Sequence, residues 1–159
     1  MSNIAIKIYS DPILRKKAGI VKSIGEKERK LAYDMIETMR SANGIGLAAP
    51  QVGVSKQIIV IEAMEKGAEA LVFINPKVLE KRGKSSFCEG CLSVPGITSD
   101  IVRPESVAVE ALNLEGEVLK IRTGGLLARV IQHEVDHLDG ILFIDKAAGI
   151  ENVKFKNQN

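Results

Sequence analysis

The segment from Leu126 to Leu138 constrains the fold of this chain more than any other feature of its sequence. Apolar residues recur here on a helical period, and the pattern stops at Gly140, since glycine is common just beyond a helix C-terminus. The predicted helix is apolar on most of its sides, and a helix of that kind is buried. We therefore expect a central helix against which the rest of the chain packs.

This helix carries the sequence His133-Glu134-Val135-Asp136-His137, an H-E-x-x-H pattern that contains the only two histidines of the chain. Residues four apart share one face of a helix, so both imidazoles can bind one metal ion. Glu134 lies about 100° around the helix from His133, too far to ligate beside both histidines but near enough to act as general base. The alternative is a solvated polar face. We favour the metal site because the apolar flanks Val130 and Ile131 indicate burial, and unpaired buried polar groups are costly.

A third metal ligand must come from elsewhere, because a catalytic site of this kind has three protein ligands and one open position. The candidates are two cysteines and three downstream carboxylates: Cys91, Cys88, Asp139, Asp145 and Glu151. A thiolate is the strongest soft ligand among them, although either cysteine is equally well interpreted as a small buried apolar residue. Spacing alone does not separate Cys91 from Cys88. If both bound together with both histidines, the result would be a closed structural zinc site without room for a substrate.

Composition excludes several classes of protein. The chain has 159 residues, 45% hydrophobic and 26% charged, as in ordinary globular proteins, and we expect a single domain over residues 1–159. The formal charge of +2 is far below the basic excess of a typical nucleic-acid binder. No apolar run approaches the roughly 18 residues of a membrane span, and Met1 to Lys17 lack the apolar core of a signal peptide. We therefore expect a cytoplasmic protein.

Periodicity elsewhere predicts one further helix and a set of short strands. Residues 26–40 show apolar side chains at helical spacing between charged ones, which indicates a surface helix with one buried stripe. The strands are predicted at Gln57–Ile61, Leu71–Asn75 and Lys77–Phe87, in a hairpin of residues 107–111 and 118–122, and at Ile141–Asp145. Strands and helices do not alternate. The predicted fold class is therefore α+β, with short, mostly antiparallel strands packed around the central helix and one N-terminal surface helix.

Gly44 to Gln51 reads Gly-Ile-Gly-Leu-Ala-Ala-Pro-Gln, and its two glycines and proline predict a loop. It matches the G-x-G-x-x-A pattern of dinucleotide-binding proteins, but that pattern follows a strand and opens a helix, whereas this segment follows a helix and runs into Pro50. We favour a loop whose backbone approaches an extended ligand and whose Gln51 amide donates to an oxyanion. The alternative is a plain surface loop.

Three segments together resemble the signature motifs of the peptide deformylase family in their order and spacing: Gly44–Gln51, Glu89–Ser93 and Gln132–Gly140. The resemblance implies a hydrolase that removes the formyl group from the N-terminal formylmethionine of newly made polypeptides and releases formate. It also implies Cys91, His133 and His137 as ligands of one divalent metal ion. The family commonly uses ferrous iron and accepts zinc, nickel or cobalt. Cys88 precedes the motif and does not correspond to a ligand.

The same resemblance implies roles for other residues. Glu134 would take a proton from water and pass it to the leaving amine, while the Gln51 side chain and the Leu92 backbone N–H would hold the oxyanion. Backbone pairing with the substrate peptide is expected at three residues: Ile45, Gly46 and Gly90. An apolar pocket for the methionine side chain is expected near His133, with its walls and rim formed by Leu126, Val130 and Arg129.

Partners and rivals follow from the same residues. The expected partners are nascent polypeptides that begin with formylmethionine, met in transient proximity to the ribosome, with no membrane and no specific nucleic acid. For Arg103 three interpretations stay open: contact with substrate, pairing with Glu89, or a solvated charge at a strand end. One rival function is an H-E-x-x-H metallopeptidase that uses Glu151 as its third ligand. The other is a zinc-stabilised module without enzymatic activity, built on both cysteines and both histidines.

Overall fold

The computed structural model describes residues 2–147 and 153–155. Within these ranges the helices are α1 (Glu26–Ser41) and α2 (Gly125–Leu138), with short 3-10 helices at Pro12–Arg15, Ala49–Val52 and Phe143–Lys146. The strands are β1 (Gly46–Ala48), β2 (Ile58–Ile61), β3 (Leu71–Arg82), β4 (Ser85–Cys91), β5 (Val94–Arg103), β6 (Ser106–Leu112), β7 (Val118–Gly124) and β8 (Val153–Phe155).

A five-stranded antiparallel sheet, in the order β1-β2-β3-β6-β7, separates the two helices. All four residues of β2 are buried, and successive side chains of a strand point to opposite faces. Ile58 and Val60 accordingly pack in a core with two buried methionines of α1, whereas Ile59 and Ile61 pack in a second core with α2. Cover on both faces explains why β2 contains only apolar residues.

A second, three-stranded antiparallel sheet has the order β4-β5-β8. β4 and β5 form a hairpin whose register shifts between Gly90 and Cys91. Val94 and Ile101 of this hairpin share a small core with Leu142 and Phe143, the residues that follow α2. This packing holds the end of β4, and Cys91 with it, beside α2.

The central helix is confirmed. Nine residues of α2 are buried, among them polar and charged ones that a surface helix would expose to solvent. Just beyond its end, Gly140 has a φ of +74°, and a Cβ atom there would lie 2.5 Å from the Arg15 carbonyl oxygen. Only glycine fits such a position, so the predicted helix stop is also a packing contact.

The α+β fold class is confirmed, and α1 matches the predicted surface helix with one additional residue at its end. The hairpin predicted at residues 107–111 and 118–122 is the β6–β7 pair. Within the described residues, neither helix is long and apolar enough to cross a bilayer.

Several local predictions were wrong. Part of the predicted loop, Gly46–Ala48, is an edge strand, because its backbone pairs with β2. The predicted break between Leu71–Asn75 and Lys77–Phe87 does not exist: β3 runs through it, with Asn75 at a φ of +52° and a register shift that accommodates Pro76. That strand ends instead at Arg82, and β4 begins at Ser85.

The last strand predicted at Ile141–Asp145 is also wrong. Phe143–Lys146 is a 3-10 helix, in which the Asp145 carboxylate accepts a hydrogen bond from the Leu142 N–H at 3.0 Å and caps the turn. Arg15 holds the same carboxylate. β5 was not predicted, because its residues alternate only weakly between apolar and polar.

Candidate active site

Three side chains that can bind a metal ion come together where the end of β4 lies against α2. Cys91, at the end of β4, and His133 and His137, one helical turn apart on α2, place ligand atoms within 4.8 Å of one another. The Cys91 Sγ lies 3.3 Å from His137 Nε2. Because metal–ligand bonds to sulfur and nitrogen are about 2.0 to 2.3 Å long, donors at these separations can share one ion.

The surroundings of the two imidazoles also fit a cation. Burial lowers the pKa of His133, but hydrogen bonds to Cys91 and Glu89 and the charge of Glu134 raise it to about 10 overall. The negative groups around this ring therefore favour a positive charge at this position, which a metal ion bound to the neutral imidazole would supply in place of the proton. Burial, together with the positive charges nearby, lowers the pKa of His137 well below its usual value, so this ring is neutral, as a metal ligand must be.

The other candidate ligands lie apart from this cluster. Cys88 is exposed and pairs with Asp100 across the β4–β5 hairpin. Asp139 is exposed beyond the end of α2, and Asp145 is held by Arg15. Glu151 lies outside the described residues. Among the described residues, the geometry disfavours the closed site with two cysteines.

Glu134 is buried on α2, in the turn between the two histidines. It is 4% exposed, and its Oε2 atom has no hydrogen-bond partner in the described part of the chain. Burial raises the pKa of Glu134 to about 7, although the charges of His133 and Arg103 act in the opposite direction. A carboxyl group with this pKa can both accept and release a proton near neutral pH.

A second carboxylate, Glu89, holds His133 in place, and the sequence analysis missed this role. Its Oε1 accepts a hydrogen bond from His133 Nδ1 at 2.9 Å, which leaves Nε2 of that ring for the metal cluster. Arg103 binds both oxygens of Glu89, at 2.7 and 3.0 Å, and also binds Asp136 of α2. Of the three interpretations of Arg103, pairing with Glu89 is therefore confirmed, and its 2% exposure contradicts a solvated charge.

Burial raises the pKa of Glu89, but hydrogen bonds from His133 and Arg103 outweigh burial and lower it to about 2. The carboxylate is thus charged and accepts a hydrogen bond from the Nδ1–H of His133, which fixes the tautomer of the ring. The sequence contained a signal for this role that was not used: Glu89 stands two residues before Cys91, a spacing that places two side chains on the same face of a regular strand.

Gln51 lies against the thiol side of the cluster. It is 1% exposed, and its Oε1 accepts a hydrogen bond from the Ala48 N–H at 2.9 Å. Its Nε2 donates to Ser93 Oγ at 3.1 Å and lies 3.6 Å from Cys91 Sγ. Leu92 follows Cys91 directly at the turn between β4 and β5. The amide end of Gln51 is therefore fixed beside the three candidate metal ligands.

A cavity of about 470 Å³ opens beside these groups. The predicted substrate-binding residues all line it: Ile45, Gly46, Gly90, Leu126 and Val130. Gln51, Leu92, Cys91, His133 and Glu134 also face it. Phe87 lines it as well, although the sequence analysis did not single it out. Arg129, expected at the rim, also lines the cavity, although its side chain is largely buried and pairs with Glu89.

Comparison with known proteins agrees with this geometry. A family model described as polypeptide deformylase matches residues 4–153. The chain is 50% identical to the peptide deformylase of Halothermothrix orenii over 150 residues, which cover 94% of this chain and 97% of that protein. It is 46% identical to the peptide deformylase of Thermodesulfovibrio yellowstonii over 160 residues, which cover 99% and 97%.

Solved structures give the same result. The crystal structure of a peptide deformylase from Legionella pneumophila superimposes with a TM-score of 0.91 at 41% identity, over 95% of this chain and 89% of that one. A peptide deformylase from Synechococcus elongatus in complex with actinonin superimposes with a TM-score of 0.90 at 41% identity, over 96% and 82%.

Proposed function

The chain belongs to the polypeptide deformylase family and is a metal-dependent hydrolase that removes the N-formyl group of newly made polypeptides, and we propose that Cys91, His133 and His137 hold its metal ion. The observation that carries this assignment is the meeting of these three donors beside the buried carboxylate of Glu134, at a cavity wide enough for a peptide end.

The metal is one divalent cation, for which we propose ferrous iron, with zinc, nickel and cobalt as functional substitutes. One thiolate and two neutral imidazoles suit these borderline metals better than magnesium or calcium, which prefer oxygen ligands. When bound, such an ion lowers the pKa of water and polarises a carbonyl group. With one negative ligand, the site keeps a net charge of about +1 to supply this effect.

Glu134 serves as the general acid and base. Its Oε2 is buried and has no hydrogen-bond partner among the described residues, and the Gly46 backbone lies close to its carboxylate where both line the cavity. We assign it the proton of the attacking water, which it then transfers to the amine that leaves as the formyl C–N bond breaks. A raised pKa of about 7 suits both transfers.

Gln51 and the Leu92 backbone N–H stabilise the oxyanion that develops on the formyl oxygen. The Gln51 carbonyl is tied to the Ala48 N–H, so its NH₂ group faces Cys91 and Ser93. Preorganised donors of this kind contribute roughly 3 to 4 kcal/mol each in other hydrolases.

The substrate peptide binds as an added strand. β1 is an edge of the five-stranded sheet and β4 an edge of the three-stranded sheet, and both line the cavity. An extended peptide between them would pair with the backbones of Ile45, Gly46 and Gly90. Because this pairing uses only main-chain hydrogen bonds of the peptide, it tolerates many substrate sequences. The methionine side chain packs against the apolar wall formed by Leu126 and Val130. Such a wall distinguishes side chains that differ by one methylene group by only about 1 to 3 kcal/mol.

The partners of this chemistry are nascent polypeptides with an N-terminal formylmethionine. We place the protein in the cytoplasm, transiently close to the ribosome, and treat residues 1–159 as one catalytic domain. Its modest formal charge of +2 supports the absence of a specific nucleic-acid site.

The experiment that tests this function measures formate release from a formyl-Met tripeptide by protein purified anaerobically and loaded with iron or nickel. The matched control is Glu134→Gln, which keeps the size of the side chain and removes the base. Fast release by the parent and a loss of about 10²- to 10⁴-fold in the variant, at equal metal content, support the proposal. A metal-loaded parent that releases no formate contradicts it and favours a structural metal site.

A further inference from the structure

Arg129 contacts both the residues around the three candidate metal ligands and the wall of the proposed substrate cavity. It lies on the buried face of α2, one turn before His133, and is 5% exposed. Its two terminal nitrogens make hydrogen bonds to four acceptors, which are Glu89 Oε2, the Ile101 carbonyl, the Ser85 carbonyl and Ser85 Oγ. One side chain of α2 thus binds both β4 and β5.

The first connection runs to the metal ligand. Arg129 Nη1 binds Glu89 Oε2, while the other oxygen of that carboxylate holds His133 Nδ1 at 2.9 Å. Arg103 binds Glu89 in the plane of the carboxylate, with Nε on Oε2 and Nη2 on Oε1. The second arginine therefore limits rotation of the carboxylate that sets the direction of the His133 ring.

The second connection runs to the cavity wall. The Arg129 guanidinium carbon lies 5.6 Å from the centroid of the Phe87 ring, a cation–π contact. Phe87 is 54% exposed and lines the cavity, as do Arg129 itself and Leu126. Two of the remaining hydrogen bonds of Arg129 fix Ser85, at the start of the same strand. The guanidinium therefore supports β4 from its first residue to Glu89.

We propose that Arg129 is a positioning residue that couples the substrate-side wall of the cavity to the metal ligand His133, so that one side chain sets both metal affinity and the fit of the substrate's first side chain. This inference rests on the proposed function for its substrate part only. Its metal part depends on the contacts of Glu89 and His133 alone.

Arginine is the residue type that this position needs. Four acceptors from three residues on two strands lie around the planar fork, and a lysine ammonium, a single point donor, does not span them. Loss of Arg129 still leaves Glu89 paired with both Nε and Nη2 of Arg103, so no buried carboxylate is stranded and the variants are expected to fold.

The experiment compares the parent with Arg129→Met and Arg129→Lys. Phe87→Leu removes the aromatic wall without touching Glu89. Arg122→Met is the matched control, because Arg122 is an exposed arginine on the edge strand β7 that binds Glu80 of β3. Circular dichroism verifies folding. Each protein is loaded with Co(II), and the readouts are the visible spectrum, the Co(II) dissociation constant, and KM and kcat for formyl-Met and formyl-Gly peptides.

Both Arg129 variants are expected to bind Co(II) roughly tenfold or more weakly, as for other losses of outer support to a histidine ligand, with a shifted visible spectrum. Their KM is expected to rise more for the formyl-Met than for the formyl-Gly peptide. Phe87→Leu is expected to change KM alone, and Arg122→Met neither quantity. Parent-like Co(II) spectra in folded Arg129 variants overturn the proposal, and so does a fully active Arg129→Lys, since charge alone would then suffice.

The two proposals fail separately. A parent that releases no formate overturns the proposed function, whereas the Co(II) spectra and affinities still decide whether Arg129 positions His133. A parent with normal activity, together with Arg129 variants that lose only thermal stability, overturns the positioning role and leaves the function intact.

Discussion

Gly46 of β1 lies so close to Glu134 of α2 that no side chain fits between them. A Cβ atom on Gly46 would lie 2.7 Å from Glu134 Oε1 and 2.8 Å from Val130 Cγ1. The edge strand that is proposed to pair with substrate is therefore in direct contact with the proposed general base. This one glycine therefore brings the proposed substrate-pairing strand next to the proposed proton-transfer group.

Gly46→Ala is expected to displace the Glu134 carboxylate or β1 and to lower kcat by about 10- to 100-fold, since small misplacements of reacting groups cost this much. Metal content should stay that of the parent, because neither group is a ligand. Steady-state kinetics and metal analysis check both points. Gly19→Ala is the control, since a Cβ there meets only the Ser55 carbonyl at an ordinary 3.6 Å. Unchanged kinetics in Gly46→Ala would contradict the assigned contact.

The two cysteines are expected to differ sharply. Cys91→Ser should lose most of its metal on dialysis, because a hydroxyl is a poor replacement for a thiolate in a site with two imidazoles. Cys88→Ser should keep about one ion per chain and parent-like activity, because Cys88 is exposed and outside the cluster. Metal analysis after dialysis checks both variants. Full metal and activity in Cys91→Ser would favour the metallopeptidase reading with a downstream carboxylate such as Glu151.

The central helix and its H-E-x-x-H pattern were predictable because both depend on neighbours in the sequence. Helical period and i, i+4 spacing are local quantities, and they placed His133 and His137 on one buried face correctly. The choice of Cys91 over Cys88 came from the family resemblance, and the residue spacing alone left it open. In the structure, Cys91 ends β4 beside the two histidines, whereas Cys88 is exposed three residues earlier on the same strand.

The support of the site was not predictable in the same way. Glu89 binds Arg103, Arg129 and His133 over sequence separations of 14, 40 and 44 residues. Charged residues are mostly exposed, so four of them in one buried group contradict the general preference, and only the folded chain shows that they pair. The edge strand β1 was missed for a related reason, since three residues are too few to show a period.

The N-terminus of α1 predicts a pH dependence of stability. The Glu28 carboxylate accepts hydrogen bonds from the Gly25 N–H and from Lys56, and these lower its pKa from 4.5 to about 2. A group whose pKa is lowered by folding stabilises the folded state above its unfolded pKa. That contribution disappears as the pH falls from about 4.5 towards 2.

Glu28→Gln should therefore melt below the parent at pH 6, and the difference should shrink as the pH is lowered to 3. Thermal melts of the metal-free proteins check this, since loss of metal in acid would otherwise dominate. Glu26→Gln is the control on the same turn, because that side chain is 96% exposed. A difference in melting temperature that stays constant from pH 6 to pH 3 would show that the Glu28 contacts are not electrostatic in origin.

Gln51 offers a test of the oxyanion donor that separates chemistry from folding. Gln51→Glu keeps an oxygen for the Ala48 N–H and removes the Nε2 donor, so the variant should fold while kcat falls by roughly 10²- to 10³-fold. Gln51→Leu also strands the buried Ala48 N–H and should lower the free energy of unfolding by about 1 to 3 kcal/mol in addition.

Ser93→Ala completes the comparison, because it removes the present partner of Gln51 Nε2 and leaves the donor itself in place. Its kcat should fall much less than that of Gln51→Glu if the amide acts on substrate, since Nε2 is then free to reach the oxyanion. KM should change little in either variant, because the interaction develops with the negative charge in the transition state and is weak in the ground state. Equal losses of kcat in Ser93→Ala and Gln51→Glu would instead show that Gln51 acts by holding the Cys91–Ser93 turn.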